Sequence, residues 1–365
     1  MVTEYYYPHL GGITEHVQNL ALQFSRLGHR AIIITSHMGE WGQDEPFVYR
    51  VGRSQLVFFN GSFARFTIGF QLKNRLTEIL QQEQIDLVHV HPPLAPTLGL
   101  IASWAARHLG IPVVGTFHSW FPRSYFLSLF HGIFQHELDK IDAKIAVSEP
   151  AVQALSRYFK GEWDVIPNGV DVGYFHPNGR HPEDAFIQGP RLLFLGRLDP
   201  RNGLSTILEA MPRILHSYPQ AQLNVVGDGP LRKYYDRLAR PLGKSVRFVG
   251  YVYDERPDFY GDADLYLCPA TRASFGVTLL EAMACGTPLV VSDIIGFREL
   301  VNGGKETVLV RSPKKPEAWA RTIIELISNP RRRAEMALAG LLKAKEYAWP
   351  KIAKRVLDVY ERVGP

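Results

Sequence analysis

Short runs of β-branched and other apolar residues alternate with amphipathic helical patterns along nearly the whole chain, and this alternation limits the fold more than any other feature. In the first unit, apolar residues recur every three or four positions from Ile13 to Leu27. Gly28 is expected to end this helix before the strand Ala31–Thr35. Such alternation predicts parallel sheets covered by helices on both faces, so the expected fold class is α/β and doubly wound.

The alternation occurs twice, separated by the turn-rich segment Pro167–Pro190. The first series contains the predicted strands Leu87–His91, Pro112–Phe117 and Lys144–Val147 and the predicted helices Ala95–Arg107 and Tyr125–Lys140. The second contains strands Arg191–Leu195, Gln222–Val226, Val246–Val249, Leu265–Cys268 and Pro288–Val291, helices Leu204–His216, Leu231–Arg240 and Val277–Ala284, and helical sequence from Pro316, with Pro350 starting the last helix.

The 365 residues are therefore predicted to form two domains, 1–167 and 168–349, with a helix at 350–365 that packs back on the first domain. Ligands of such sheets bind beyond the carboxyl ends of the strands, so we expect the chemistry in a cleft between the domains.

Composition removes several classes of function. The balance of 41 basic and 36 acidic residues is too even to indicate a nucleic-acid partner, although a modest attraction to anionic surfaces stays open. Two cysteines argue against a disulfide scaffold and favour a reducing, cytoplasmic location. The apolar runs are shorter than the roughly 20 residues that span a bilayer, and the first residues lack a secretory signal. Only about four residues precede the first loop, which leaves open whether the start lies upstream.

The segment from Thr271 to Pro288 carries the strongest chemical signal. A predicted strand ends at Cys268, and a loop of small residues leads to a helix that begins near Gly276. Backbone N–H groups at such a helix start bind anions, for example a nucleotide diphosphate. Glu281 lies in the first turns of this helix, where a carboxylate is able to accept two hydrogen bonds from a ribose diol. The alternative for Glu281 is a solvent-facing or helix-stabilising glutamate.

The pattern Ser274–Phe275–Gly276, followed by Glu281-Ala-Met-Ala-x-Gly-Thr-Pro, resembles the nucleotide-sugar motif of retaining GT-B glycosyltransferases of family 4, in the glycogen-synthase-like superfamily. Further landmarks in the family's order are Gly11–Gly12, Ile166–Asp171, Phe194–Leu198 and Val226–Pro230. Within the family, the likeness is closest to the phosphatidylinositol mannosyltransferases, and it rests on His91–Pro96, Thr116–Ser119, Ile145–Ser148 and Tyr347–Trp349.

The resemblance implies two Rossmann-like domains and a metal-independent transfer without a cofactor. The donor would be a GDP-sugar or UDP-sugar, with mannose favoured, and the acceptor a lipid or glycolipid hydroxyl such as that of phosphatidylinositol. Attack would occur on the face of the leaving group through an oxocarbenium-like state, with a diphosphate oxygen taking the acceptor proton. The protein would be cytoplasmic or peripheral on the inner face of the plasma membrane.

The resemblance also assigns residues. Arg197 would bind the diphosphate, because its guanidinium donates hydrogen bonds in pairs, and Glu281 would bind the ribose. His118 would contact the sugar near the reacting carbon. The residues implied for catalysis are His118 and Arg197, and those implied for donor binding are Gly12, Arg197, Arg201, Asn202, Gly250, Ser274, Phe275, Gly276, Val277, Thr278 and Glu281.

Two positions depart from the family pattern. Ala273 replaces a glutamate that holds the donor sugar, and Asn202 replaces a lysine near the diphosphate. Either Arg201 and Arg272 substitute for the missing groups, or activity is low. The alternatives are a nucleotide-sugar-binding protein with weak or lost transfer, a transferase acting on a soluble or polysaccharide acceptor, and a hydrolytic epimerase.

Two further groups of residues have competing interpretations. His89 and His91 share one face of a strand, but two imidazoles make a weak metal site, so packing and hydrogen bonding are favoured. Asp262 and Asp264 match a metal-binding carboxylate pair of another glycosyltransferase fold, but turn and cap roles are favoured.

Two aromatic segments of the first domain also contain cations. The first runs from Phe58 to Phe70 and is followed by Lys73 and Arg75, and the second is Trp120–Phe126 with Arg123. Such segments are expected either to lie in a lipid interface or to form a buried helix face with ordinary surface charges.

Overall fold

The computed structural model describes residues 1–9, 11–38, 46–59, 62–94, 97–118, 120, 123–177, 189–252, 254–301 and 304–364. The chain divides into two compact units, unit 1 (Met1–Asn168 with Trp349–Pro365) and unit 2 (Gly169–Ala348). These limits differ by one residue from the junctions 167/168 and 349/350. The middle of the turn-rich segment, residues 178–188, lies outside the described residues, as do Ala95, Pro96, Ser119, Phe121 and Pro122.

Unit 1 contains an eight-stranded sheet in the order β4-β3-β2-β1-β5-β6-β7-β8. Its strands are β1 Val2–Thr3, β2 Ile33–His37, β3 Val48–Phe59, β4 Ser62–Ile68, β5 Val88–His91, β6 Val113–Phe117, β7 Ala143–Ala146 and β8 Asp164–Val165. Its helices are α1 Gly12–Arg26, α2 Leu72–Gln82, α3 Leu98–His108, α4 Tyr125–Leu129, α5 His131–Leu138, α6 Glu149–Leu155 and α14 Trp349–Val363.

The two faces of this sheet are covered by different helices. Apolar residues of α2 and α3 pack with Val88 and Val90 on one face. Leu20 and Phe24 of α1 pack on the other face with Val114, Ile145 and residues of the carboxyl-terminal helix α14. Consecutive residues of a strand point to opposite faces, and because both faces are covered, nearly all residues of β2, β5 and β6 are buried, polar ones included.

The aromatic run that begins at Phe58 forms an antiparallel hairpin, not a helix. β3 pairs with β4 from Arg53–Ile68 to Phe59–Ser62, and β4 is the edge strand. The buried-helix interpretation of this run is therefore wrong. Ile68 is 63% exposed and Phe70 is 92% exposed, whereas the side chains of Phe58, Phe59 and Phe63 lie outside the described residues.

Unit 2 contains a six-stranded parallel sheet in the order β11-β10-β9-β12-β13-β14. Its strands are β9 Arg191–Leu195, β10 Gln222–Val226, β11 Val246–Gly250, β12 Leu265–Cys268, β13 Leu289–Ser292 and β14 Thr307–Val310. Its helices are α7 Leu204–Ser217, α8 Arg232–Ala239, α9 Arg256–Asp262, α10 Val277–Ala284, α11 Ile295–Val301, α12 Pro316–Ile327 and α13 Pro330–Ala344.

This strand order is that of a Rossmann fold, and it places the reversal of winding direction between β9 and β12. The two faces are covered separately here too. Leu192 and Phe194 contact the cluster built on α7 and α12, whereas Leu193 contacts the cluster built on α10. Both units thus confirm the expected doubly wound α/β architecture.

Several element boundaries differ from the expectation. The predicted helix Tyr125–Lys140 is two helices, because Phe130 leaves the helical conformation at φ −104°, ψ 15°. Strands β3, β4 and β14 and helices α2, α6, α9 and α11 were not predicted. Most of these are short or lack a clean apolar period, so that the sequence signal is weak.

A substitution at Gly227 tests how closely the chain after β10 approaches the chain after β9. Its φ is +121°, and a Cβ there would lie 2.2 Å from the carbonyl oxygen of Gly196. Gly243 is a matched control, with φ +55° and no atom within 4 Å of the position that a Cβ would take. Gly243 has ψ −129°, so Gly243→Ala should lower the free energy of unfolding by about 1 to 3 kcal/mol through backbone strain alone. Gly227→Ala should lower it by at least about 2 kcal/mol more, measured by chemical denaturation followed by circular dichroism. Equal losses in the two variants would contradict the close approach.

Candidate active site

The carboxyl ends of three strands of unit 2 are joined by backbone hydrogen bonds. The N–H of Gly196, after β9, donates to Val226 O at 3.0 Å, and the N–H of Gly227, after β10, donates to Gly250 O at 2.7 Å. Gly250 ends β11 with φ +90°. The loops that follow these strands therefore start from one rigid edge. Arg197 begins the loop after β9, and its side chain is exposed.

The loop after β9 is held in one conformation by Asp199. Its Oδ1 accepts hydrogen bonds from the N–H groups of Arg201 (2.9 Å) and Asn202 (3.2 Å), and its Oδ2 pairs with the Arg201 guanidinium at 3.2 Å. Asn202 Nδ2 donates to Arg197 O at 2.7 Å. The Arg201 and Asn202 side chains are therefore engaged within the loop, whereas the Arg197 guanidinium makes no hydrogen bond or ion pair to the described residues.

A second loop, which follows β12, lies against the first. The N–H of Thr271 donates to Arg201 O at 2.7 Å, and its hydroxyl donates to the same oxygen at 3.2 Å. Gly203 contacts Pro269 so closely that a Cβ would come within 2.1 Å of the Pro269 oxygen. The two loops meet where the strand order reverses, which is the usual ligand position in such sheets.

Helix α10 starts from the second loop and points its amino end into this region. Gly276 is the residue before the helix and has φ +110°, and no side chain among the described residues caps the helix. Phe275 is buried, and Ser274, Gly276, Val277 and Thr278 are partly buried. An uncapped helix start offers backbone N–H groups and a partial positive charge, a combination that binds phosphate.

Glu281 is buried, with 1% of its surface exposed. Arg256 Nη1 lies 3.0 Å from Oε1, and the Tyr260 hydroxyl donates to Oε2 at 2.7 Å. Burial, followed by the charge of Glu281, raises the pKa of Tyr260 well above its ordinary value, so this hydroxyl stays a donor. The solvent-facing alternative for Glu281 is therefore wrong, because a buried carboxylate needs partners. Contact with a ribose stays a prediction.

Gly12 and His118 belong to unit 1. Gly12 is the exposed first residue of α1, and a Cβ there would meet no atom within 4 Å. His118 follows β6 and is partly buried, with its Nε2 at 3.0 Å from Nδ1 of His91. Burial, followed by the neighbouring His16 and His89, lowers the pKa of His118 well below its ordinary value. The imidazole is therefore neutral at pH 7.

His16 is a neighbour of His118 that the sequence interpretation missed. The two ring centroids are 4.8 Å apart, and Nδ1 of His16 lies 2.9 Å from Oδ1 of Asn168. Burial lowers the pKa of His16 to about 4. The signal was present in the sequence, because His16 precedes Leu20 by four residues and so shares the buried face of α1.

His89 has the packing role that was favoured for it. Its Nδ1 lies 2.6 Å from the Tyr360 hydroxyl and its Nε2 lies 2.7 Å from Thr116 Oγ1, so both ring nitrogens are occupied. The two aspartates both contact Arg191, whereas turn and cap roles were predicted for them. Asp264 Oδ2 accepts from the N–H of Arg191 at 2.9 Å, and Asp262 Oδ2 lies 3.9 Å from Arg191 Nη1. These contacts are at the amino ends of β9 and β12, away from the loops described above.

Unit 2 therefore brings the loop with Arg197, Arg201 and Asn202 into contact with the loop that leads to the helix start at Ser274 to Thr278. Glu281 is buried in the same helix. The sequence interpretation missed Arg256 and Tyr260, the partners of Glu281. The apolar residues around Glu281 signal a buried helix and hence a paired charge, but they do not identify the partners.

Unit 1 exposes large apolar side chains on the consecutive helices α4 and α5. Tyr125 is 92% exposed, Leu129 77% and Ile133 64%, and these residues are spaced four apart along α4 and α5. Arg123, just before them, is also exposed. Among the described residues, the helices are all too short or too polar to cross a bilayer.

Comparison with known proteins identifies the family of this chain. Residues 10–174 match the family model "Glycosyltransferase Family 4", and residues 189–329 match "Glycosyl transferases group 1". The phosphatidyl-myo-inositol mannosyltransferase of Mycobacterium tuberculosis is 33% identical over 375 aligned positions, which cover 100% of this chain and 96% of that protein.

Two solved structures share the fold over nearly their whole length. The sucrose-phosphate synthase of Thermosynechococcus elongatus superposes with a TM-score of 0.76 at 21% identity, covering 99% of this chain and 98% of that one. Anabaena HepE in complex with UDP-glucose gives a TM-score of 0.76 at 18% identity, with coverage of 99% and 98%. The chain therefore belongs to the family 4 glycosyltransferases and has the GT-B fold.

Proposed function

We propose that this glycosyltransferase moves a hexose, with mannose favoured, from a nucleotide diphosphate sugar to the hydroxyl of an inositol phospholipid or a related glycolipid. The observation that carries the proposal is the pair of loops in contact at the reversal of the unit 2 sheet, with Arg197 free on one and the uncapped start of α10 after the other. The name of the M. tuberculosis relative supports the choice of sugar and acceptor.

Each part of this site has a role in the proposed transfer with retention of configuration. Arg197 and the N–H groups at Gly276 to Thr278 would stabilise the negative charge that develops on the departing diphosphate. Glu281 would bind the ribose through the lone pairs that Arg256 and Tyr260 leave available. His118, being neutral, would position the sugar by hydrogen bonding. With no carboxylate assigned as nucleophile, the diphosphate oxygen would take the proton of the acceptor hydroxyl as it attacks.

Two contacts favour a second candidate, a nucleotide-sugar-binding protein with weak transfer. Asn202 stands where the family has a lysine, and its side-chain N–H donates a hydrogen bond to Arg197 O. Arg201, one suggested substitute, is paired with Asp199. The other suggested substitute, Arg272, is exposed and makes no ion pair to the described residues. Donor binding without product over a broad panel of acceptors would favour this second candidate.

Arg197→Ala is the test of the diphosphate role. With GDP-mannose and phosphatidylinositol vesicles, the variant should lose about 100- to 1000-fold in kcat/KM, because one positioned donor to a developing charge contributes about 3 to 4 kcal/mol. Its thermal stabilisation by GDP should also fall, since a ligand at 100 times its Kd adds about 2.7 kcal/mol to folding stability.

Arg321→Ala, which removes an exposed arginine of α12, is the matched control and should keep wild-type turnover. If Arg197→Ala turns over like the control with a donor that the wild type uses, Arg197 does not bind the diphosphate.

We also propose that unit 1 docks on an anionic bilayer through Tyr125, Leu129 and Ile133, with Arg123 beside them. Aromatic and aliphatic side chains next to cations lie favourably in the lipid interface. A lipid acceptor requires such contact, since its headgroup stays at the bilayer surface.

The triple variant Tyr125→Ser, Leu129→Ser, Ile133→Ser should bind phosphatidylinositol-containing vesicles at least tenfold more weakly in a sedimentation assay. Each large apolar side chain contributes about 1.5 to 3 kcal/mol when fully buried, so partial insertion of three suffices for this loss. Leu338→Ser with Leu342→Ser, which removes two side chains of α13 exposed by 61% and 59%, is the control in unit 2. Equal weakening by both variants would show that exposed apolar side chains bind vesicles nonspecifically. It would rule out a docking site at Tyr125, Leu129 and Ile133.

A further inference from the structure

Three histidines of unit 1 converge from three separate elements. His16 lies on the buried face of α1, His91 ends β5, and His118 follows β6. One nitrogen atom from each ring lies within 4.8 Å of the corresponding atoms of the other two. His89, which alternates with His91 on β5, is not a member of this group.

Two ring nitrogens in this group have no hydrogen-bond partner within the described ranges of the chain. They are Nε2 of His16 and Nε2 of His91, and both atoms are buried. Burial of a polar nitrogen without a hydrogen-bond partner is unfavourable. In native proteins an ion or an ordered water usually contacts such a nitrogen.

His16 is oriented in the manner of a metal ligand. Asn168 Oδ1 lies 2.9 Å from His16 Nδ1, and an amide oxygen only accepts, so Nδ1 carries the proton and Nε2 presents its lone pair. Asn168 is itself buried. Metal-binding histidines usually donate their second N–H to such an oxygen, which fixes both the tautomer and the ring.

The protonation state of the group also suits a metal ion. Burial lowers the pKa of His16, His91 and His118, and neighbouring histidines lower the latter two further. All three imidazoles are therefore neutral at pH 7, which is the form that binds a metal. The hydrogen bond between His91 Nδ1 and His118 Nε2, 3.0 Å long, would be replaced by coordination to the metal.

We infer that His16, His91 and His118 form a binding site for a divalent transition metal of the zinc type. Nitrogen ligands at about 2.05 Å from a tetrahedral zinc ion are about 3.3 Å apart, so the rings would close by at most about 1.5 Å. Three protein ligands leave a fourth position for water or a substrate oxygen. Imidazole ligands favour Zn²⁺ and Co²⁺ over Mg²⁺.

Metal binding has a consequence for the transferase that rests on the proposed function. His118 is the residue assigned to the donor sugar, and coordination would withdraw its nitrogen from that contact. Zn²⁺ is therefore an inhibitor of sugar transfer at this site, and the proposed transfer uses no metal.

The test is a titration of the full chain, first stripped of metal by a chelator, with Co²⁺ in the absence of any substrate. We expect one equivalent of Co²⁺ to bind with the visible absorption bands of nitrogen coordination, to be displaced by Zn²⁺, and to be unaffected by Mg²⁺. His16→Ala and His91→Ala should weaken binding at least tenfold, and Asn168→Ala should weaken it about 10- to 100-fold. His108→Gln, which alters an exposed histidine of α3, should bind like the wild type.

Circular dichroism identifies variants that have not folded. If none of the variants folds, the titration of the wild type alone decides whether the metal site exists. No saturable Co²⁺ binding by the wild type, or unchanged affinity in a folded His16→Ala protein, overturns the inference. A chain that binds added Co²⁺ but transfers no sugar in the metal-free state keeps the metal site and contradicts the proposed function. A chain that transfers sugar but binds no Co²⁺ contradicts the metal site alone.

Discussion

Parallel strand pairing is the constraint on which the rest of each unit depends. Because all strands of the unit 2 sheet run in one direction, the loops that follow them must leave from a single edge. The order β11-β10-β9-β12-β13-β14 sends the helices that follow β9 and β12 to opposite faces of the sheet, and the loops that lead to them meet at the point where the winding reverses. Arg197 and the start of α10 come to this place for that reason. In unit 1 the same constraint carries His91 and His118 to one edge of a different sheet.

The site in unit 2 combines fixed partners with free donors. Asp199 and Thr271 fix the first loop against the second, and Arg256 and Tyr260 hold the buried carboxylate of Glu281. Groups that are already fixed lose little freedom when a ligand binds, so that their hydrogen bonds cost less to make. Arg197 and the helix start remain available, and both favour negative charge. This division suits a ligand that is anionic at one end and rich in hydroxyls at the other.

Strong periodic signals allowed much of the fold to be predicted. Strands β9, β10 and β12 and helix α10 begin and end at the predicted residues, because short segments rich in apolar residues lie between turn residues there. The hairpin β3–β4 was missed, since its aromatic residues do not alternate cleanly with polar ones. For the site, the spacing from Ser274 to Glu281 predicted a helix start facing a ligand. It did not predict that Glu281 is buried between Arg256 and Tyr260, because those contacts join separate elements.

Local spacing and the residues at strand ends were enough to predict the class of fold, the repeated strand–helix order and the motif that marks the family, because these features depend on neighbours along the chain. Which side chains lie together on one surface is set by contacts in three dimensions. In the structure, His89 is hydrogen-bonded to Tyr360 and Thr116, whereas His91 groups with His16 and His118. Such groupings depend on strand order and on which helix covers which face. Those choices arise from contacts between residues far apart along the chain, and no local pattern records them.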